Sequence, residues 1–282
     1  MAAWLDEHVS MWAVLLPVKN TPQAKSRLSS LPAGVRAELA QAFFADVRTA
    51  ALDTPQVGQI IVVGDVVPDF THPKVTYVAD PSAGLNPALV HASTLVAPNT
   101  GILALMADLP AISPAEISAA LAEAENFARS FICDAEGIGT TALMAHTPAE
   151  LDPRFGPRSR AAHAASGAVE LQLPDLAGMR RDVDTEVGLW DAERLGVGAH
   201  TQAVLTRNRG NQPWLGATCV DWSDPSRRRI VLDSGLMLEV DPAATLTGFV
   251  HLRTGQRIEV ALTPARDRVA CVRWPNLHEP KH

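Results

Sequence analysis

Up to about residue 205 the chain alternates short, unbroken apolar runs with longer Ala-rich stretches whose apolar positions recur at helical spacing. The runs Trp12 to Pro17, Gln59 to Gly64, Lys74 to Ala79, Gly101 to Met106 and Ser130 to Cys133 predict strands. Their continuous apolar character fits strands buried on both faces. Ala33 to Leu52 and Pro87 to Val96 read as helices, and Ser113-Pro114-Ala115-Glu116 is a capping box with Pro at the first helical position. Strand and helix in turn predict an α/β domain: a mostly parallel, Rossmann-like sheet with helices on both faces. In such sheets ligands lie beyond the carboxyl ends of the strands, so chemistry is sought in the loops that follow them.

From about Thr206 helical periodicity gives way to short alternating runs punctuated by Gly and Pro: Arg229 to Leu232, Leu236 to Val240, Gly248 to Leu252, Arg257 to Leu262 and Arg268 to Trp274. They predict a small all-β domain, a barrel or roll, over 206–282, with Gln202 to Pro213 as linker after a first domain over 1–205. Charge divides with them: residues 1–205 hold 13 Lys+Arg against 23 Asp+Glu, and residues 206–282 hold 11 against 8. A first domain at −10 is no general polyanion binder, so any phosphate it holds must meet a local cation cluster or a metal. Cys133, Cys219 and Cys271 are too far apart for a CxxC site, and their odd number argues against a disulfide framework. The acidic opening MAAWLDEHVSMW lacks the basic head and apolar body of a signal peptide. A cytoplasmic protein without a membrane partner is expected.

Five segments carry candidate chemistry. Lys19, Lys25 and Arg27 follow the first strand and offer point charges and a fork to an anion, although a solvated basic face has the same composition. In Asp80-Pro81-Ser82-Ala83-Gly84-Leu85-Asn86-Pro87, Gly84 permits close backbone approach and Asn86 can read a base or ribose edge; as a bare pattern it is a turn and helix start. Asp108 follows the apolar strand GILALM, and a hard oxygen ligand there suits Mg²⁺ in preference to the plain role of a helix N-terminal aspartate before Pro110. If Arg180 to Thr185 is extended, Asp182 and Asp184 share a face, which hints at a bridging cation unless both are solvated. DAEGIGTT (Asp134 to Thr141) and FGPRS (Phe155 to Ser159) combine glycines with the hydroxyls of Thr140, Thr141 and Ser159, and read as an anion cradle or as two glycine turns. His163 reads as a helix residue supporting the second loop. Neither a Walker-type GxxxxGK[ST] nor a dinucleotide GxGxxG occurs, and no Ser-His-Asp or Cys-His arrangement has comparable support.

Taken together, AVLLPVKNTPQAKSRL (Ala13 to Leu28), DPSAGLNPAL, ADLP, DAEGIGTT, FGPRSRAAH and DAERLGVGAHT (Asp191 to Thr201) resemble, in order, the 2-phospholactate / phosphoenolpyruvate guanylyltransferase family. One departure is Ile138, where that family usually has Thr. The resemblance implies a GT-A-like nucleotidyltransferase moving GMP from GTP to a small phosphorylated three-carbon acid, early in synthesis of the deazaflavin coenzyme F(420). It implies that Pro17, Val18, Gly84 and Asn86 face the guanosine, and that Lys19, Lys25 and Arg27 counter charge on the leaving pyrophosphate. Asp108, Asp182 and Asp184 would hold Mg²⁺, and Thr140, Thr141, Gly156 and Ser159 the acid. Family members use 2-phospho-L-lactate, phosphoenolpyruvate or 3-phosphoglycerate, and an Ala- and Arg-rich composition like that of actinobacterial members favours phosphoenolpyruvate. A molybdopterin guanylyltransferase has the same fold class but a Gly-rich first loop. A nucleic-acid adaptor would use Arg227-Arg228-Arg229, Trp214, Trp222, Phe249 and Trp274 of the tail, against which stands a barrel core with scattered arginines. The tail's role and a homodimer stay open.

Overall fold

A computed structural model describes residues 11–18, 28, 31–64, 70–209, 214–246, 252–263 and 267–275. The elements follow in the order β1 (Trp12–Val18), α1 (Ala33–Leu52), β2 (Val57–Gly64), β3 (Val75–Val78), α2 (Leu85–Ser93), β4 (Gly101–Leu105), α3 (Pro114–Ala124), β5 (Arg129–Cys133), β6 (Thr140–Ala145), α4 (Ser159–Ala165), β7 (Val169–Glu170), α5 (Ala177–Arg180), α6 (Glu186–Leu195) and α7 (Ala199–Arg209). The all-β part adds β8 (Leu215–Asp221), β9 (Arg229–Leu232), β10 (Met237–Leu246), β11 (Arg257–Leu262) and β12 (Arg268–Arg273). No helix among the described residues is long and apolar enough to cross a membrane.

The first sheet has the order β3-β2-β1-β4-β6-β5-β7. β1 pairs in parallel with β2 and β4, and β6 runs antiparallel between β4 and β5. The continuous apolar runs have the cause expected from two-sided burial. Along β1, Trp12, Val14 and Leu16 join one core with Leu103 and Leu105 of β4, while Ala13 and Leu15 join the opposite core with Ile102 and Ala104. Helices α1 and α3 cover the first face and α2 the second. The capping box forms as expected: Ser113 Oγ accepts from Glu116 N while the Glu116 carboxylate accepts from Ser113 N.

Two differences from the sequence reading stand out. The stretch read as linker is largely helix, because α7 runs to Arg209, beyond the expected domain edge at 205. What overrides its weak amphipathic pattern is tertiary: Val204 and Leu205 pack on Leu39 and Phe43 of α1. The buried Asp46 carboxylate of α1 also accepts from His200 N and Thr201 N, both at 2.9 Å, capping α7 from another helix. Gly198 is required there, since a Cβ would collide with Asp46. The second difference is β8, whose WLGATCVD pattern was not read as a strand; the expected strand over Gly248 to Leu252 lies almost wholly outside the described residues.

The all-β part is a closed barrel, β10-β12-β11-β8-β9, in which β10 and β12 run parallel and every other pair antiparallel. It has its own core, including Ile230, Ile258, Val260, Val269 and Val272. The closed five-stranded arrangement is of the oligonucleotide-binding barrel type, a fold that hosts many functions and assigns none by itself. Its aromatic and basic residues are largely paired within the barrel. The Arg228 guanidinium lies 4.9 Å from the Trp222 ring centre and that of Arg273 4.0 Å from Trp214. Arg229, Arg257 and Arg268 pair with Asp221, Asp233 and Glu239.

Candidate active site

Because β1, β2, β3 and β4 are parallel, their carboxyl ends share one edge of the sheet, and β5 points the same way through the antiparallel β6. At that edge lie Pro17 and Val18, the loop from Asp80 to Gly84, the turn after β4 carrying Asp108, and the loop 134–139 between β5 and β6. Lys19, Lys25 and Arg27 lie outside the described residues. Half-buried Val18 is met closely by Gly64 at the end of β2, where a Cβ would run into the Val18 carbonyl oxygen.

Asp108 and the 180–184 segment are stitched together by backbone. Val183 N donates to Asp108 O at 3.0 Å, and Ala135 N donates to Arg180 O at 2.8 Å, so the segment lies between the β4 turn and the β5–β6 loop. Asp182 to Asp184 is not a strand, yet it alternates as expected: Val183 is fully buried, Asp182 half-buried and Asp184 exposed. Thr185 then caps α6 through Gly188 N at 3.1 Å. Upstream, Glu116 accepts from Gly178 N and Met179 N as well as from its own cap, fixing α5.

The Asp182 carboxyl is pushed up to about 7, first by burial and then by the charge of Asp108, with Glu136, Asp184 and Asp134 adding to it. A carboxyl held protonated by burial and by neighbouring carboxylates is a donor short of positive charge. Among the described residues no group of three or more His, Cys, Asp or Glu side chains stands ready to hold a metal ion. The fit to a hard cation therefore rests on the donors' chemistry and on their shared field.

Loops that the sequence could only name one by one are tied to each other here. Met106 N donates to Thr141 O at 2.9 Å, joining the Asp108 turn to β6. Arg160 N donates to Ile138 O, and Arg160 Nη1 to Gly137 O at 2.9 Å, which sutures the start of α4 to the loop 134–139. Gly156, at φ +138°, and buried Ser159 thereby share a rim with Thr140 and Thr141. Inside the glycine loop, backbone N–H groups turn inward: Ile138 N and Gly139 N donate to the Asp134 carboxylate at 2.8 and 2.6 Å. Those two donors serve the loop itself, and of the hydroxyls beside it Thr141 Oγ1 donates to Ile132 O at 3.5 Å.

Asn86 is engaged within the protein through both ends of its amide. Its amide nitrogen donates to Phe155 O at 3.0 Å and its oxygen accepts from Phe155 N at 2.8 Å. The side chain clamps the loop at Phe155 to the start of α2, two residues after Gly84 at φ +103°. Sequence reasoning missed Asp134, Arg180 and Arg181 as organisers. Arg180 donates to Asp134 O, and Arg181 pairs with Glu136 and Asp191. The signal was their placement inside motifs already singled out.

A model of the family described as guanylyl transferase CofC like matches residues 12–191. The chain belongs to this family. The chain is similar to the phosphoenolpyruvate guanylyltransferase of Streptomyces coelicolor, 46% identical over 204 residues that cover 70% of this chain and 96% of that protein. The phosphoenolpyruvate guanylyltransferase of Thermomonospora curvata is 42% identical over 213 residues, covering 70% and 89%. A solved structure from Desulfovibrio desulfuricans G20, provisionally designated a nucleotide-diphospho-sugar transferase, superposes with a TM-score of 0.54 at 17% identity over 70% of this chain and 94% of that one, a likeness of fold alone. The CofC-like chain is thus a nucleotidyltransferase of the guanylyl class on a GT-A-like fold, and the family match ends before the barrel.

Proposed function

We propose that this CofC-like enzyme transfers GMP from GTP to phosphoenolpyruvate, releasing pyrophosphate, in coenzyme F(420) biosynthesis. The observation that carries the reading is the backbone stitch between Asp108 and Val183. It draws the 182–184 segment to the turn that carries Asp108, at the edge of the sheet where the loop 134–139 also lies, and this supports a shared carboxylate site there. Relatives more than two fifths identical over the aligned residues carry the name of this reaction.

A phosphate oxygen of the acceptor attacks the α-phosphorus of GTP, a new P–O bond forms, and the bond to the bridging oxygen breaks as pyrophosphate leaves. The nucleophile is already anionic, so no general base is needed, and the protein's task is positioning and charge neutralisation. Asp108, Asp182 and Asp184 would hold Mg²⁺, which when bound would supply the positive charge that two approaching phosphates require. The rim hydroxyls orient the acid, the main chain around Pro17, Val18 and Gly84 receives the guanosine, and Lys19, Lys25 and Arg27 offset charge on the leaving group.

The test is pyrophosphate release from GTP and Mg²⁺ with phosphoenolpyruvate, 2-phospho-L-lactate or 3-phosphoglycerate, with ATP and CTP as controls. Release with GTP and phosphoenolpyruvate is expected. Release with another of the three acids corrects the acceptor alone, and silence with all three in folded, GTP-binding protein overturns the reaction.

A further inference from the structure

His163 lies in the interior of the acceptor rim, fully buried, and both its ring nitrogens are engaged. Arg154 N donates to Nε2 at 2.9 Å, and Nδ1 is 2.9 Å from Thr140 Oγ1. A backbone N–H can only donate, so Nε2 is the bare nitrogen and, in the neutral ring, Nδ1 carries the hydrogen. The Thr140 oxygen therefore accepts from His163, and its own hydrogen must go elsewhere. Among the described residues no other partner takes it. Phe155 packs edge-on to the ring at 5.0 Å and Phe131 tilts against it at 5.7 Å, so the ring has little freedom to flip.

We propose that His163 is a positioning residue that fixes the Thr140 hydroxyl as a hydrogen-bond donor toward the anionic acceptor acid. This rests on the acceptor site assigned above and adds a reason for the helix histidine four residues after Ser159. The ring is neutral at working pH: burial, and next the Arg129 charge, push its pKa down to about 4. The neutral ring gives the hydroxyl a direction without adding charge to the site. The same nitrogen pair ties Arg154 to β6, and Asn86 ties the adjoining Phe155 to α2, so the loop before Gly156 is held from both sides.

Two measurements test the proposal. Long-range ¹H–¹⁵N spectra of the wild-type protein should show His163 protonated at Nδ1 and bare at Nε2, and the opposite tautomer overturns it without any variant having to fold. Steady-state kinetics and calorimetric phosphoenolpyruvate binding are then compared for Thr140→Val, Thr140→Ser, His163→Phe and the double variant Thr140→Val/His163→Phe. Each of Thr140→Val and His163→Phe should raise KM and Kd for phosphoenolpyruvate about 10-fold, the loss of one hydrogen bond to a charged group, with KM for GTP held within about twofold. Thr140→Ser, which keeps the hydroxyl, should recover most of the phosphoenolpyruvate binding lost in Thr140→Val, and the double variant should be no worse than either single change, since both remove one directed donor. Multiplying losses, an equal rise in KM for GTP, or an unchanged phosphoenolpyruvate KM in Thr140→Val overturns the proposal. Wild-type protein inactive toward every acceptor would instead overturn the reaction, a separate result.

Discussion

Asp182 sits in the field of Asp108 and Asp184, with its carboxyl held near 7 by burial and by those neighbours. An unfolded aspartate ionises at its ordinary value of 3.8, so between about pH 4 and 7 the folded chain holds a proton that the unfolded chain has lost. The contribution to stability is present below that window and is lost as pH rises through it. Metal-free protein should therefore lose melting temperature from pH 5 to pH 8 more steeply than Asp182→Asn. Mg²⁺ should restore the wild type at pH 8 and the variant far less; parallel melting curves for the two proteins would remove Asp182 from the crowded set. Asp108→Asn tests the same set through chemistry. It should cost at least about 100-fold in rate, the scale of losing one transition-state charge partner, with the melting temperature little changed. Full activity in that variant would dissolve the metal assignment.

At the scale of elements, α5 and α7 are held by carboxylates that belong to other helices. Gly178 begins the route to Asp182, and a Cβ there would strike the Ala111 main chain and crowd Glu116, neither of which yields cheaply. Gly178→Ala is expected to displace α5, lowering both melting temperature and turnover, whereas Ala177→Gly, one residue earlier, should leave turnover near wild type; a fully active Gly178→Ala would free the segment from α5. Asp46→Ala removes the acceptor for His200 N and Thr201 N and should cost about 2 kcal/mol by denaturant unfolding, the upper range for a lost helix cap. These links also mark what the sequence could tell. The strands β1 and β4 were legible because two-sided burial leaves unbroken apolar runs, and α3 because its cap is local in sequence. α7 was not, since its cap comes from a residue more than 150 positions away. The aspartates and loop hydroxyls could be named from motifs, but the inward turn of Ile138 N and Gly139 N and the spent amide of Asn86 depend on partners that only folding brings near.

For the molecule as a whole, the barrel and the sheet domain are separate hydrophobic bodies among the described residues: the barrel cluster takes no side chain from β1–β7 or α1–α7. The stitches that build the acceptor rim and the carboxylate set likewise join residues between Asn86 and Asp191, with none from 214–275. Since the family match also ends at residue 191, transfer chemistry should not require the barrel. A chain ending at residue 213 is expected to unfold cooperatively and to keep turnover and both KM values within about threefold of the full protein, with the barrel's own transition gone from the calorimetric trace. Loss of acceptor binding in that shortened chain, with GTP binding intact, would instead make the barrel part of the acceptor site. Loss of cooperative unfolding would give it a packing role. With the shortened chain active and folded, the search for the barrel's purpose moves to what its outer surface meets, where Leu236 and Met237 stand exposed at the β9–β10 turn among arginines already paired.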